Sequence, residues 1–384
     1  MTPRSARPKL ATLAPLLLAA CGGSGALAGG ADASVDGSAD AAVEAAPDSA
    51  ATPDGAAGDG ATEAQPDCGV DVSGGLLVEM MAIVSAMKTG ATIGSDALVV
   101  PTTAARDSFA QTVVAVLGGD EGAACALPPS YRLMRMVDPT AGALRVVAEV
   151  DASGHPAPSL FYGTFAAPRV VPTPSRALVV EAPHPIFDID TELQATAVFL
   201  QSAARMLLVA GAHRCTDVAL STCSGTTDAC SDGGEPYRVS DAAHEDGLPF
   251  NAVHARVSDA DPTLFFLQLH GNGEPCPTAL VSDCSGDWSD AGAAARLAGA
   301  LVAGGVAIGQ CGAGYPTATC DLCGTDNVQA RYTADSPAAC TAMGTSYGRF
   351  VHVEQQLALR QTPDAGHGGY EPMINAVLAA FPAN

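Results

Sequence analysis

Between Arg176 and Arg214 the chain sets two short apolar runs around one amphipathic stretch, the pattern of a strand–helix–strand unit. Residues 177–182 are mostly Val, Leu and Ala, as expected of a strand buried on both faces. Pro183 and Pro185 flank His184, so the backbone there can neither extend the ladder nor begin a helix. Thr191 and Gln194 form a T-x-x-Q capping box, with Asp190 as an alternative cap. Leu193, Ala197, Leu200 and Ala204 then recur on one helical face. Residues 206–210 make the second buried strand, which runs into Gly211, Ala212, His213 and Arg214. Parallel strands joined by a crossover helix end on the same edge, where open α/β sheets bind ligands. His184, Asp188, His213 and Arg214 are therefore expected on one rim.

The same alternation continues along the chain. Periodicity predicts helices over 76–88, 110–117 and 290–302, and strands over 144–150, 264–269, 279–281, 306–308 and 349–353. A strand over 160–166 is expected beside 177–182, across a Pro-rich loop. A helix begins somewhere within 240–256. Met373, Ile374, Val377, Leu378 and Phe381 define a closing amphipathic helix. This order implies an α/β fold with a mostly parallel or mixed sheet and helices on both faces. Residues 68–150 carry no evident chemistry and read as a lid or accessory subdomain on a single domain spanning 68–384.

Composition alters the picture at the N-terminus. Residues 1–21 have a basic start, a short apolar core and the ending Leu18-Ala19-Ala20-Cys21, an export signal too short for a membrane span. That ending resembles a bacterial lipobox, which implies lipidation at Cys21. Gly22 and Gly23, with no Asp after the cysteine, then imply an outer-membrane, periplasmic or cell-surface location. Residues 22–67 are almost entirely Ala, Gly, Asp, Ser, Pro, Thr and Glu, and read as a disordered tether. The formal charge of −23 leaves −17 on residues 68–384 once +3 in the signal and −9 in the tether are removed. So acidic a surface argues against nucleic acid and anionic membrane surfaces as partners. Of the 12 cysteines, those beyond Cys21 are an odd number in an exported chain, which predicts disulfides with one thiol left over. Cys311, Cys320, Cys323 and Cys340 are read as disulfide partners and not as a zinc knuckle.

The candidate chemistry lies where strands end: His184 with Asp188, His270, and Glu354. Two histidines and one carboxylate match the three protein ligands of a catalytic zinc site, and a carboxylate that is not a ligand is needed as general base. His184, Asp188 and His270 are the candidate ligands and Glu354 the candidate base. His213 and Arg214 form a candidate substrate-binding pair, and His244 and His254 come into consideration for the same rim. His155, His352 and His367 read as bland, although His352 alternates with Glu354 and shares its face.

These motifs resemble the zinc carboxypeptidase fold, in particular its N-formylglutamate amidohydrolase and poly-γ-glutamate hydrolase branch. VVEAPHPIFDIDT, FFLQLHGNG and FVHVEQQLALR carry the resemblance over roughly 160–360. It implies one zinc per chain, held by His184, Asp188 and His270, with Glu354 as base and Arg214 near the oxyanion. The implied activity is amide hydrolysis of an acylated amino acid or peptide by direct water attack. The first ligand pair departs from that fold's His-x-x-Glu by one residue and uses Asp. A non-catalytic ligand-binding surface protein on the same fold is the alternative. Gly344-Thr345-Ser346-Tyr347-Gly348 also matches the serine-hydrolase elbow, with Asp364 and His367 as the downstream candidates for its acid and histidine. The elbow needs a strand before Ser346 and a helix after it, and neither is expected.

Overall fold

The computed structural model describes residues 67–231, 233–273, 275–361 and 369–383. Cys21, the export signal, nearly all of the tether, Asp364 and His367 lie outside the described residues.

Eleven strands form one mixed sheet. In chain order they are β1 (Gly69–Val72), β2 (Tyr131–Asp138), β3 (Gly142–Glu149), β4 (Thr164–Pro168), β5 (Arg176–Ala182), β6 (Ala204–Val209), β7 (Phe265–Gly271), β8 (Ala279–Ser282), β9 (Ile308–Cys311), β10 (Gly314–Tyr315) and β11 (Phe350–Gln355). The spatial order is β1-β2-β3-β4-β6-β5-β7-β11-β8-β9-β10. Its centre, β6-β5-β7-β11, is parallel throughout. Here the strands are buried on both faces, which is why 177–182 and 264–269 read as continuous apolar runs. Residues 69–149 contribute β1, β2 and β3 to this same sheet. The expected pairing of the strands near 160–166 and 177–182 is not what forms: β6 lies between β4 and β5 and pairs with both. A crossover from β5 through a helix returns β6 to the edge of β5 that β4 would have taken.

Helices cover both faces. Packed in series are α1 (Leu76–Gly90), α3 (Thr191–Ser202), α7 (Glu371–Ala380) and α5 (Ala293–Ala303), and likewise α2 (Thr103–Gly118), α4 (Pro249–Ala260) and α6 (Val328–Thr333). None is long and apolar enough to cross a membrane among the described residues. The capping box at the start of α3 does not form. Thr191 is the first helical residue, and Asp190 before it is left-handed at φ 69° and makes no side-chain cap. Gln194 turns instead to Gln355 and to the Leu359 carbonyl. At the exit of β6, a Cβ on Gly211 would sit 2.2 Å from the Phe161 carbonyl oxygen, so the chain passes there only as glycine.

Five disulfides staple the loops: Cys68–Cys125, Cys215–Cys230, Cys223–Cys340, Cys276–Cys320 and Cys311–Cys323. Cys284 is the leftover thiol, and it is buried. Four of the bridges lie on the C-terminal edge of the parallel strands, where turn-rich segments have little apolar area to hold them.

Candidate metal centre

Two rungs of the central sheet carry polar side chains on one face. In the lower rung Glu181 of β5, Gln268 of β7 and His352 of β11 are in register; in the next rung on that face His270 pairs with Glu354. Residues two apart on a strand share a face, so the upper rung stands directly above the lower. His184 enters from the loop after β5. Pro183 and Pro185 hold it there, and Asp188 N–H donates back to the His184 carbonyl at 3.0 Å. That loop needs left-handed backbone at Ile186 (φ 73°) and Asp190, an unfavourable conformation for a β-branched residue that surrounding contacts must hold.

The ring nitrogens reveal how the upper cluster is built. His184 Nε2 lies 2.8 Å from Asp241 Oδ1, and His270 Nε2 lies 2.7 Å from Gln268 Oε1. The Gln268 amide nitrogen faces the Glu181 carboxylate at 3.0 Å, which fixes its oxygen toward His270. Both histidines therefore carry a proton on Nε2 and turn Nδ1 the other way. There the two Nδ1 atoms approach to 3.2 Å, and Asp188 Oδ2 lies 3.2 Å from the first and 3.6 Å from the second. Burial and the neighbouring His184 hold the His270 pKa down, to about 4, against the pull of Asp188, so its Nδ1 presents a lone pair at neutral pH. Burial opposes charge on Asp188, but the two histidines beside it outweigh that and keep it ionised. Lone pairs converging at such distances repel unless a cation sits among them, either a proton on His184 or a metal ion. The donor set, two imidazole nitrogens and a carboxylate oxygen within 4.8 Å of one another, suits a divalent transition metal. Carbonyl and carboxylate partners on the far nitrogens are the usual orienting shell of such ligands.

Glu354 stands beside this triad, its Oε1 4.0 Å from His270 Nδ1. It lies within β11 and not after the strand, as the sequence reading had it. Burial, and then the charge of Asp188, push its carboxyl well above the usual range. His352, read from sequence as bland, belongs here: its Nε2 is 3.5 Å from Glu354 Oε1 and its ring lies 4.4 Å from that of His270. Burial holds its pKa well below that of free histidine, and its Nδ1 has no partner. Its alternation with Glu354 was the signal that could have identified it.

Asp241 ties the outer residues together. It accepts from His184, from His244 at 2.9 Å, and from Arg214 through both Nε and Nη2. Arg214 lines the cavity while paired in this way, and lies over the Phe187 ring. His213 reaches the same corner, where its Nδ1 accepts the Cys215 N–H and its ring meets the edge of Phe187. His244 stacks flat on Tyr237 at 3.7 Å. Burial opposes its charge, but Asp241 and Asp326 outweigh burial and raise its pKa. Tyr237, whose hydroxyl donates to Asp326 at 2.5 Å, was not identified from sequence. His254 does not reach the rim; it lies below, fully buried against Glu181 and Thr333. Ser346 is exposed in a loop that leads into β11, with no helix after it, so the elbow required of a serine nucleophile is absent.

No family model matches the chain, and no curated protein sequence matches it. Among solved structures, it is similar to N-formylglutamate amidohydrolase from Ralstonia eutropha (12% identity, 53% of this chain and 90% of that one, TM-score 0.30). It is similar to a succinylglutamate desuccinylase from Vibrio parahaemolyticus (7% identity, 66% and 79%, TM-score 0.30). A metallo-carboxypeptidase from Burkholderia cenocepacia is a further likeness (12% identity, 70% and 66%, TM-score 0.28).

Proposed function

We propose that this chain is a zinc-dependent amide hydrolase, acting on an acylated amino acid or a peptide. The observation that carries this reading is the approach of His184 Nδ1, His270 Nδ1 and Asp188 Oδ2 to within 3.6 Å of one another, with a carboxyl group alongside. His184, Asp188 and His270 are the residues that would hold the metal. Zinc in that position supplies Lewis acidity toward water and a carbonyl oxygen. A bound divalent ion would offset burial and the charge of Asp188 on Glu354. The Glu354 carboxyl, at the edge of the triad, then takes the proton from the attacking water and returns it to the departing amine. Asp241 and Gln268 keep the two imidazoles in the tautomer that aims Nδ1 at the centre. Arg214 keeps Asp241 ionised and in place, and lies over the Phe187 ring, whose other neighbour is His213. The test is Glu354→Gln: zinc content stays at wild-type level while amidase turnover falls by about 10²–10⁴, the usual worth of a positioned acid–base group. Turnover that survives this change contradicts the assignment of the base.

The same proposal extends to location. An exported chain anchored through Cys21 agrees with five disulfides and a single leftover thiol. Mass spectrometry of the mature N-terminus tests it, and an unmodified or absent Cys21 contradicts it.

A further inference from the structure

The cavity above the triad has a volume of about 600 Å³, room for a few residues of peptide. Its charge is one-sided. Among the described residues that line it, Arg214 is the only Lys or Arg, and both its Nε and Nη2 are committed to Asp241. Asp228 and Asp321 stand exposed on its walls, and no salt bridge involves either among the described residues. Disulfides hold both acids in place. Asp228 lies inside the loop closed by Cys215–Cys230, and Asp321 follows Cys320, which is bonded to Cys276, two residues before Cys323, which is bonded to Cys311. Deeper in, Asp326 lines the same cavity beside His244 and Tyr237. A second feature marks the space as one built for a ligand: His352 lines it, only 3 % exposed, with an unpartnered Nδ1.

We propose that this cavity selects amides bearing a positively charged side chain, of the lysine or arginine kind, and disfavours those bearing a carboxylate. The inference rests on the amide-hydrolase reading for its chemistry and on the wall charges for its selectivity. Away from the metal site, a substrate carboxylate on these walls meets two acids and, among the described residues, no unpaired Lys or Arg. A substrate ammonium or guanidinium meets the same two acids as partners, in a cleft whose low-dielectric walls strengthen the attraction. Part of the preference is long-range and screened by salt. The disulfide-closed loops matter because acids held in position need no ordering when the substrate arrives.

The test is equilibrium binding to the zinc-loaded Glu354→Gln chain, in which complexes persist. Three capped tripeptides, acetyl-Ala-X-Ala-amide with X lysine, glutamine or glutamate, differ only in the charge of X. The lysine peptide is expected to bind at least about tenfold more tightly than the glutamate peptide, with glutamine between them, since each partly exposed pair is worth up to about fivefold. In the double variant Asp228→Asn, Asp321→Asn the gap should shrink to about threefold or less, and 0.5 M salt should narrow it as well. Equal or tighter binding of the glutamate peptide overturns the proposal. So does a gap that survives the double variant, or binding of none of the three. Turnover is scored separately on the wild-type chain: a lysine preference without hydrolysis sinks the amide-hydrolase reading and leaves the charge selection standing.

Discussion

Two buried polar clusters share the same strands, one rung apart, and they are satisfied in opposite ways. In the lower one every group except His352 Nδ1 meets a complement. Glu181 accepts from His254 and Gln268, His254 Nε2 faces the Thr333 hydroxyl, and the Gln268 amide also bonds Gln329 and Asn327. Gln329 in turn donates to the Ala242 carbonyl. In the upper one, two imidazole nitrogens and a carboxylate oxygen converge on one point. Burial alone does not separate the two, since Glu181 is 0 % exposed and His184 1 %. The separation lies in whether lone pairs face protons or face each other. A closed network fixes the fold, while an open convergence leaves a place for a cation, a proton on His184 or a metal ion.

Breaking the lower cluster should give the larger effect on stability. Glu181→Ala leaves His254 and Gln268 buried without their acceptor and is expected to cost about 3–5 kcal/mol in urea unfolding. The loss should be present without zinc and no smaller with it, since Glu181 also orients Gln268 toward His270; a loss that zinc repairs would contradict this. A smaller effect lies on the link between them. Gln268→Leu removes the acceptor that holds the His270 tautomer, and zinc affinity should weaken about 10–100-fold, read by competition with a chromogenic chelator. Unchanged affinity would show that Gln268 serves the lower network alone.

Glu192 sharpens the comparison by offering a third case. It is buried with Oε2 unpartnered, and among the described residues it belongs to no cluster of His, Cys, Asp or Glu side chains that could hold a metal. Burial raises its pKa from 4.5 to about 7. The folded state then holds this proton more tightly than the unfolded chain, so stability is full below about pH 4.5 and declines as pH rises through about 7. Glu192→Gln should flatten that decline by about 1–3 kcal/mol between pH 5 and 8, measured by urea unfolding at both. A slope unchanged by the substitution assigns the pH dependence elsewhere.

Much of the centre was legible in the chain. His184 between two prolines, His270 closing an apolar run and Glu354 in a final strand all came from periodicity and turn chemistry, and they meet in the fold. What stayed hidden depends on distance along the chain. Asp241 reaches His184 across 57 residues and Gln268 reaches Glu181 across 87, and no local pattern encodes such partnerships. The order of β4, β6 and β5 was hidden for the same reason, because apolar runs announce strands without naming their neighbours. The failed cap at α3 was a local misreading: Thr191 and Gln194 had the right spacing, but the helix starts one residue earlier, at Thr191, after the left-handed turn at Asp190. His352 was passed over as a lone histidine, although i, i+2 alternation had already set it on the face of Glu354.

The measurement that bears most directly on the central claim is zinc content of the purified chain beside His270→Ala, with circular dichroism to confirm that both are folded. One zinc per chain in the wild type, and none in the variant, is the expected result. A folded wild-type chain that takes up no zinc when the metal is supplied in excess would contradict it.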